Sequence, residues 1–220
     1  MNRSTAFSLP LLIMLALMVA TTAMAQSRVA RVTKGIFLYS NWDAPHVTLD
    51  TCLDMTITEA HIPEAIEHNG RTYPLCEVGH GAFQGCHNLT TVYFSDFSDK
   101  TFGLLRDAFH DCPNLRVLVC PGREPFELIR KHPFYGGKFE DIFEPYHAQT
   151  VVVVVPPGCE EAYRNAPGWC NFRNIQSSMP TDAQLQDNDR ERHIMQLESQ
   201  LERARAEVLR LEQELKELKP

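Results

Sequence analysis

Apolar positions fall in two rhythms along this chain: short bursts of alternation up to about residue 176, then steps of three and four. The segment Gly81-Ala82-Phe83-Gln84-Gly85-Cys86-His87-Asn88-Leu89-Thr90-Thr91-Val92 aligns with Asp107-Ala108-Phe109-His110-Asp111-Cys112-Pro113-Asn114-Leu115-Arg116-Val117-Leu118, sharing A-F-x-x-C-x-N-L at an offset of 26 residues. A period in that range predicts stacked coils, because one such unit cannot bury its apolar side alone. Phe83, Cys86, Leu89 and Val92 should therefore lie against Phe109, Cys112, Leu115 and Leu118. Alternation from Leu89 to Phe94 predicts a strand with Leu89, Val92 and Phe94 inward and Thr91 and Tyr93 on the sheet face. One coil later the outward pair is Val117 and Val119. These four positions form the candidate binding face, since solenoids bind on extended faces. Cover by another part of the chain is the stronger expectation for it, because soluble proteins rarely leave apolar patches open.

Five consecutive valines, Val151 to Val155, are β-branched and stopped by Pro156-Pro157, which predicts a buried strand. A short helix over Cys159–Asn165 follows, closed by Ala166-Pro167-Gly168. Trp169, Phe172 and Ile175 are expected to cap the open end of the coils, with sugar stacking on Trp169 as the minor alternative. Ser177-Ser178-Met179-Pro180 reads as a linker and Thr181-Asp182-Ala183-Gln184 as a capping box opening a long helix. Its apolar positions make a heptad seam: Ile194, Leu201, Val208 and Leu215 at a, with Leu197, Ala204, Leu211 and Leu218 at d. A parallel dimer is favoured, with a trimer left open. Glu214 would face Lys219 of a partner helix attractively, and Glu207 would face Glu212 repulsively.

The repeat resembles the BspA-like leucine-rich repeat proteins, bacterial surface and secreted proteins whose units read roughly I-x-x-x-A-F-x-x-C-x-x-L-x-x-I. The likeness extends upstream to a hairpin around His68-Asn69-Gly70-Arg71, where Asn69-Gly70 is a two-residue turn signal. Downstream, Val155-Pro156-Pro157-Gly158, Ala162-Tyr163, Ala166, Trp169 and Phe172 to Ile175 resemble the closing segment of such proteins. It spans about residues 47–175, with a weak stretch over 123–150. The resemblance implies recognition of other macromolecules at a surface, including adhesion.

Charge and composition narrow the partners. With 21 Lys+Arg against 28 Asp+Glu the formal charge is −7, so phosphate neutralisation gives a nucleic-acid partner no support. Arg3, the apolar run Phe7–Ala20 and Ala23-Met24-Ala25 form an export signal over residues 1–25. The apolar run is short for a membrane span, and no mature transmembrane segment is expected. Export makes disulfides permissible, yet the seven cysteines are odd in number. A Cys86–Cys112 bridge fits the coil spacing, with buried free thiols the stronger expectation.

No paired-ligand spacing for zinc, no nucleophile elbow and no phosphate-cradling glycine loop is present in the sequence. His80, His87 and His110 with Cys86 and Cys112 are the nearest thing to a cluster. No catalytic, cofactor or metal residue is therefore assigned, and no cofactor is expected. The Asn88-Leu89-Thr90 sequon reads as chance, since Leu89 is expected inside.

The expected organisation is α/β: signal peptide 1–25, lead-in 26–46, a short leucine-rich-repeat solenoid with N-terminal hairpin and C-terminal cap over 47–176, linker 177–181, and a coiled-coil helix over 182–220. The expected function is an exported, non-enzymatic protein-interaction or adhesion protein, periplasmic, surface-bound or secreted, presenting its repeat face to a protein or cell-surface macromolecule from a homo-oligomer. The alternative is a periplasmic structural or assembly factor acting through its coil.

Overall fold

The computed structural model describes residues 31–40, 46–97, 102–128 and 138–217. The export signal lies outside these residues, as does Leu218 of the seam.

Two sheets of a mixed α/β fold enclose the core. The first has the order β1-β2-β3-β6-β5, with β8 also against β6. Here β1 is Arg31–Lys34, β2 Phe37–Ser40, β3 Val47–Cys52, β5 Ala65–His68, β6 Arg71–Val78 and β8 Gly103–Leu104. The lead-in thus contributes two strands, with Phe37 and Tyr39 in the core. The β5–β6 hairpin turns at Asn69 and Gly70, both at positive φ (51° and 72°) as the tight primed turn requires.

The second sheet is wholly parallel: β4 (Glu59–Ile62), β7 (Thr91–Phe94), β9 (Val117–Val119), β10 (Val152–Val154) and β11 (Asn174–Gln176), adjacent in chain order. Its register sets Ala60, Val92, Leu118, Val153 and Ile175 in one inward column, all buried. Small and β-branched side chains suit strands covered on both faces. Opposite this sheet, backbone bonds join the turns of successive repeat segments, Phe83 N–H to Ala108 O and Phe109 N–H to Ile142 O.

Those bonds carry the central packing feature. The rings of Phe83 and Phe109 stack at 5.1 Å and 8° between planes, and Phe109 stacks on Phe143 at 5.5 Å and 9°. The weakly matching stretch therefore supplies a third layer, Ile142-Phe143 standing where Ala82-Phe83 and Ala108-Phe109 stand above it. The turns also repeat. Gly81 and Asp107 have φ of 62° and 60°, and Gly85 and Asp111 have 75° and 54°. Asp tolerates this left-handed conformation better than most side chains, which explains the Gly/Asp interchange between coils.

Below the third layer, α1 (Pro145–Thr150) leads into β10, and α2 (Glu160–Asn165) into the closing turn. Trp169 is fully buried there and donates its indole N–H to Phe126 O at 2.8 Å. It has no face left for a sugar, which removes the stacking alternative. Phe172 and Ile175 are buried with it. The final element, α3, is a 36-residue helix over Asp182–Glu217, opened by Thr181 Oγ1 accepting the Gln184 N–H.

Candidate functional site

The outer side of the parallel sheet holds two columns. Glu59, Thr91, Val117, Val152 and Asn174 form one; His61, Tyr93, Val119, Val154 and Gln176 form the other. Of the four residues expected to offer a binding face, Thr91 and Val117 are buried, and Tyr93 and Val119 are half-buried. Val117, Val152 and Val154 make a small apolar cluster apart from the main core, packed with Val119 and Leu185. The cover is α3 itself.

The helix expected over 182–220 as a coiled coil thus has its first stretch laid on its own domain. Its first half lies on the coils and α1 because polar groups as well as Leu185 tie it there. Asn188 donates to Thr150 O at 2.9 Å, Arg173 pairs with Glu191 at 3.0 Å, and the Gln184 and Gln176 amides bond each other. Asp189 accepts from two guanidiniums at once, Arg116 at 2.7 Å and Arg192 at 2.8 Å. Arg192 is only 3% exposed, and its Nε and Nη2, with the Nε of Arg116, are buried with no partner. Leaving such donors unpaired costs about 1–3 kcal/mol each.

Beyond Gln196, whose amide reaches Pro113 O, α3 leaves the domain along a groove of about 450 Å³ lined by Asp111, Glu144, Tyr146, Met195, Gln200 and Arg203 among others. From Leu197 to Glu217 every residue is exposed. The seam residues Ile194, Leu197, Leu201, Val208, Leu211 and Leu215 are each about half exposed, and Ala204 is exposed too. Arg192 and Leu201 are nine positions apart, about 180° around a helix of 3.6 residues per turn. The seam therefore starts on the side of α3 opposite the one that grips the sheet.

No protein-family model matches the chain, and no curated protein matches it. A solved structure, described as a leucine rich cell surface protein from Faecalibacterium prausnitzii A2-165, overlays with a TM-score of 0.28 and 13% identity, taking in 67% of this chain and 55% of that one. The chain thus spans about half the length of that protein, and a likeness at this level carries no argument about fold or role.

Cys86 and Cys112 are free thiols in the interior, Cys112 donating to Phe83 O, and burial pushes both upward, Cys86 to about 12. They stay protonated at neutral pH, which is unsuited to a nucleophile. Of the histidines considered from sequence, His87 meets Asp111 in an exposed pair and His110 meets Glu144 in a separate half-buried one, each at 3.0 Å. Among the described residues no group of three or more His, Cys, Asp or Glu side chains could hold a metal ion, and no helix is long and apolar enough to cross a membrane.

Sequence reasoning missed His147. It is fully buried, accepts the Glu144 N–H at Nδ1, and donates from Nε2 to Cys112 O at 3.0 Å. Burial above all depresses its pKa to about 3, so the ring is neutral. It also missed a ledge at the uncovered end of the sheet face, where His61 and Tyr93 stack at 4.5 Å and 4°. A strand register, which no single segment reveals, is what brings these two together.

Proposed function

We propose that this chain is an exported, non-enzymatic interaction protein in which a short leucine-rich-repeat solenoid is carried by a coiled-coil tail that pairs two copies. One observation carries the reading: the apolar seam of α3 lies almost wholly on the stretch beyond Gln196, where every residue is exposed. A helix that packs on its domain with its first stretch and carries an aliphatic stripe along the free stretch leaves that stripe open, and a second copy is the partner whose stripe matches it in length and spacing. Ile194 and Val208 at a with Leu197 and Leu211 at d favour two parallel strands. Pairing then sets two domains side by side and raises the effective affinity of weak surface contacts without new ones. Export rests on the signal pattern of residues 1–25.

The test is sedimentation of the mature protein beside a Leu201→Asp, Leu211→Asp variant. Dimers are expected for the parent and monomers for the variant, with unchanged far-UV circular dichroism from the domain. A parent that is monomeric at tens of micromolar overturns the pairing. The truncation that separates tail from domain is removal of residues 197–220, since cutting from Thr181 would also strip the sheet of its cover.

A further inference from the structure

We propose that the valine face of the parallel sheet is a docking surface for an amphipathic helix of a partner protein, and that residues 182–196 of α3 are its resting occupant. This rests on reading the chain as an interaction protein, but not on its pairing. The surface consists of Val117, Val119, Val152 and Val154, an apolar cluster separate from the main core. Onto it α3 sets a single aliphatic side chain, Leu185. The positions that follow on the same helix face are Asn188 and Arg192, both buried, with two guanidinium nitrogens of Arg192 unpaired. A helix held there for stability alone would place aliphatic groups at those positions, because a buried orphan donor opposes docking.

The contacts also define what would fit better. Arg116 belongs to the coils and stays when α3 leaves, so the surface offers one guanidinium for a carboxylate, at the place Asp189 now fills at 2.7 Å. Around it lie the valines, and past them the His61–Tyr93 ledge continues the same face beyond the reach of α3. The partner is therefore a helix with an aliphatic residue, an acid four positions on, and a second aliphatic residue three further. Such a helix keeps the pair with Arg116 and removes the buried Arg192 charge from the interface. Ser177 to Thr181, without helical or strand structure, is the joint about which α3 would swing.

The probe is a labelled peptide of residues 180–199 carrying Asn188→Leu and Arg192→Leu, titrated by anisotropy into three full-length mature proteins. Asp189→Lys in the protein sets a cation against Arg116 and Arg192, loosens the resident helix and is expected to tighten peptide binding at least ten-fold over the parent. Arg192→Leu in the protein strengthens the resident helix and is expected to weaken binding at least ten-fold. A peptide that also carries Asp189→Lys should not bind. Equal affinity for the parent and the Arg192→Leu protein, or undiminished binding of the lysine peptide, overturns the proposal. If Asp189→Lys fails to fold, the Arg192→Leu comparison still decides. Sedimentation of the same samples reads the tail pairing separately.

Discussion

Truncating the middle ring of the phenylalanine stack measures how far successive coils depend on one another. Phe109 is fully buried between Phe83 and Phe143, with centroids 5.1 Å and 5.5 Å away. Phe109→Ala removes the ring's burial and leaves a cavity, a loss of about 3–5 kcal/mol. Phe109→Leu keeps most of the apolar volume and forfeits two ring contacts, each about 0.5–1.5 kcal/mol, so it should cost about 2 kcal/mol. At roughly 2–4 °C per kcal/mol for a domain of this size, the alanine variant should melt about 10–15 °C lower. Urea unfolding followed by the fluorescence of Trp169, buried against Phe126 and Tyr163, reads these losses. A double-mutant cycle of Phe83→Leu with Phe109→Leu should return a coupling of about 1 kcal/mol, whereas Phe83→Leu with Phe172→Leu, which share no ring contact, should add within about 0.5 kcal/mol. A loss under about 1 kcal/mol for Phe109→Ala, or equal coupling in the two cycles, would refute the view that like side chains stack from coil to coil to make a common interior.

Two further outcomes concern titration and reactivity. His147 is held neutral with its pKa near 3, whereas the unfolded chain takes up that proton near 6.5, so its contribution is full above about pH 6.5 and drains as pH falls toward 3, by about 3 kcal/mol at pH 4.5. His147→Gln should flatten that part of the stability–pH curve, and a slope equal to the parent's would count against the assignment. Cys170 is the exposed thiol among the seven, so a disulfide reagent should modify it first and the half-buried Cys76 later, with Cys86, Cys112 and Cys120 reacting only on unfolding; labelling of Cys112 in the native protein would contradict its burial.

The first two repeat segments were legible in the sequence because identical residue types recur in the same slots and local alternation fixes which side is inward. The third was not. Its offset is 34 residues, from Phe109 to Phe143, isoleucine replaces the alanine, and the residue three after the ring is Tyr146 rather than a cysteine. The likelihood of cover over the sheet face followed from its valines, but the identity of the cover did not, since Leu185, Asn188 and Arg192 make no apolar stripe. An arginine on a charge-rich helix reads as solvated until the coils bring Arg116 within reach of Asp189. The heptad, by contrast, is visible because its apolar spacing runs unbroken along the stretch of α3 that the domain leaves alone.

α3 runs unbroken from its grip on the sheet to Glu217. At 1.5 Å per residue the free part beyond Gln196 is a boom about 30 Å long, and the gripped part from Asp182 is about 20 Å. A sideways load at the tip thus acts with mechanical advantage on the Leu185 and Asn188 contacts, prising the near end off like a crowbar. Traction along the axis instead shares the load among all of them in shear. Whatever holds the far end, the direction of pull would decide whether the valine strip is bared or kept shut.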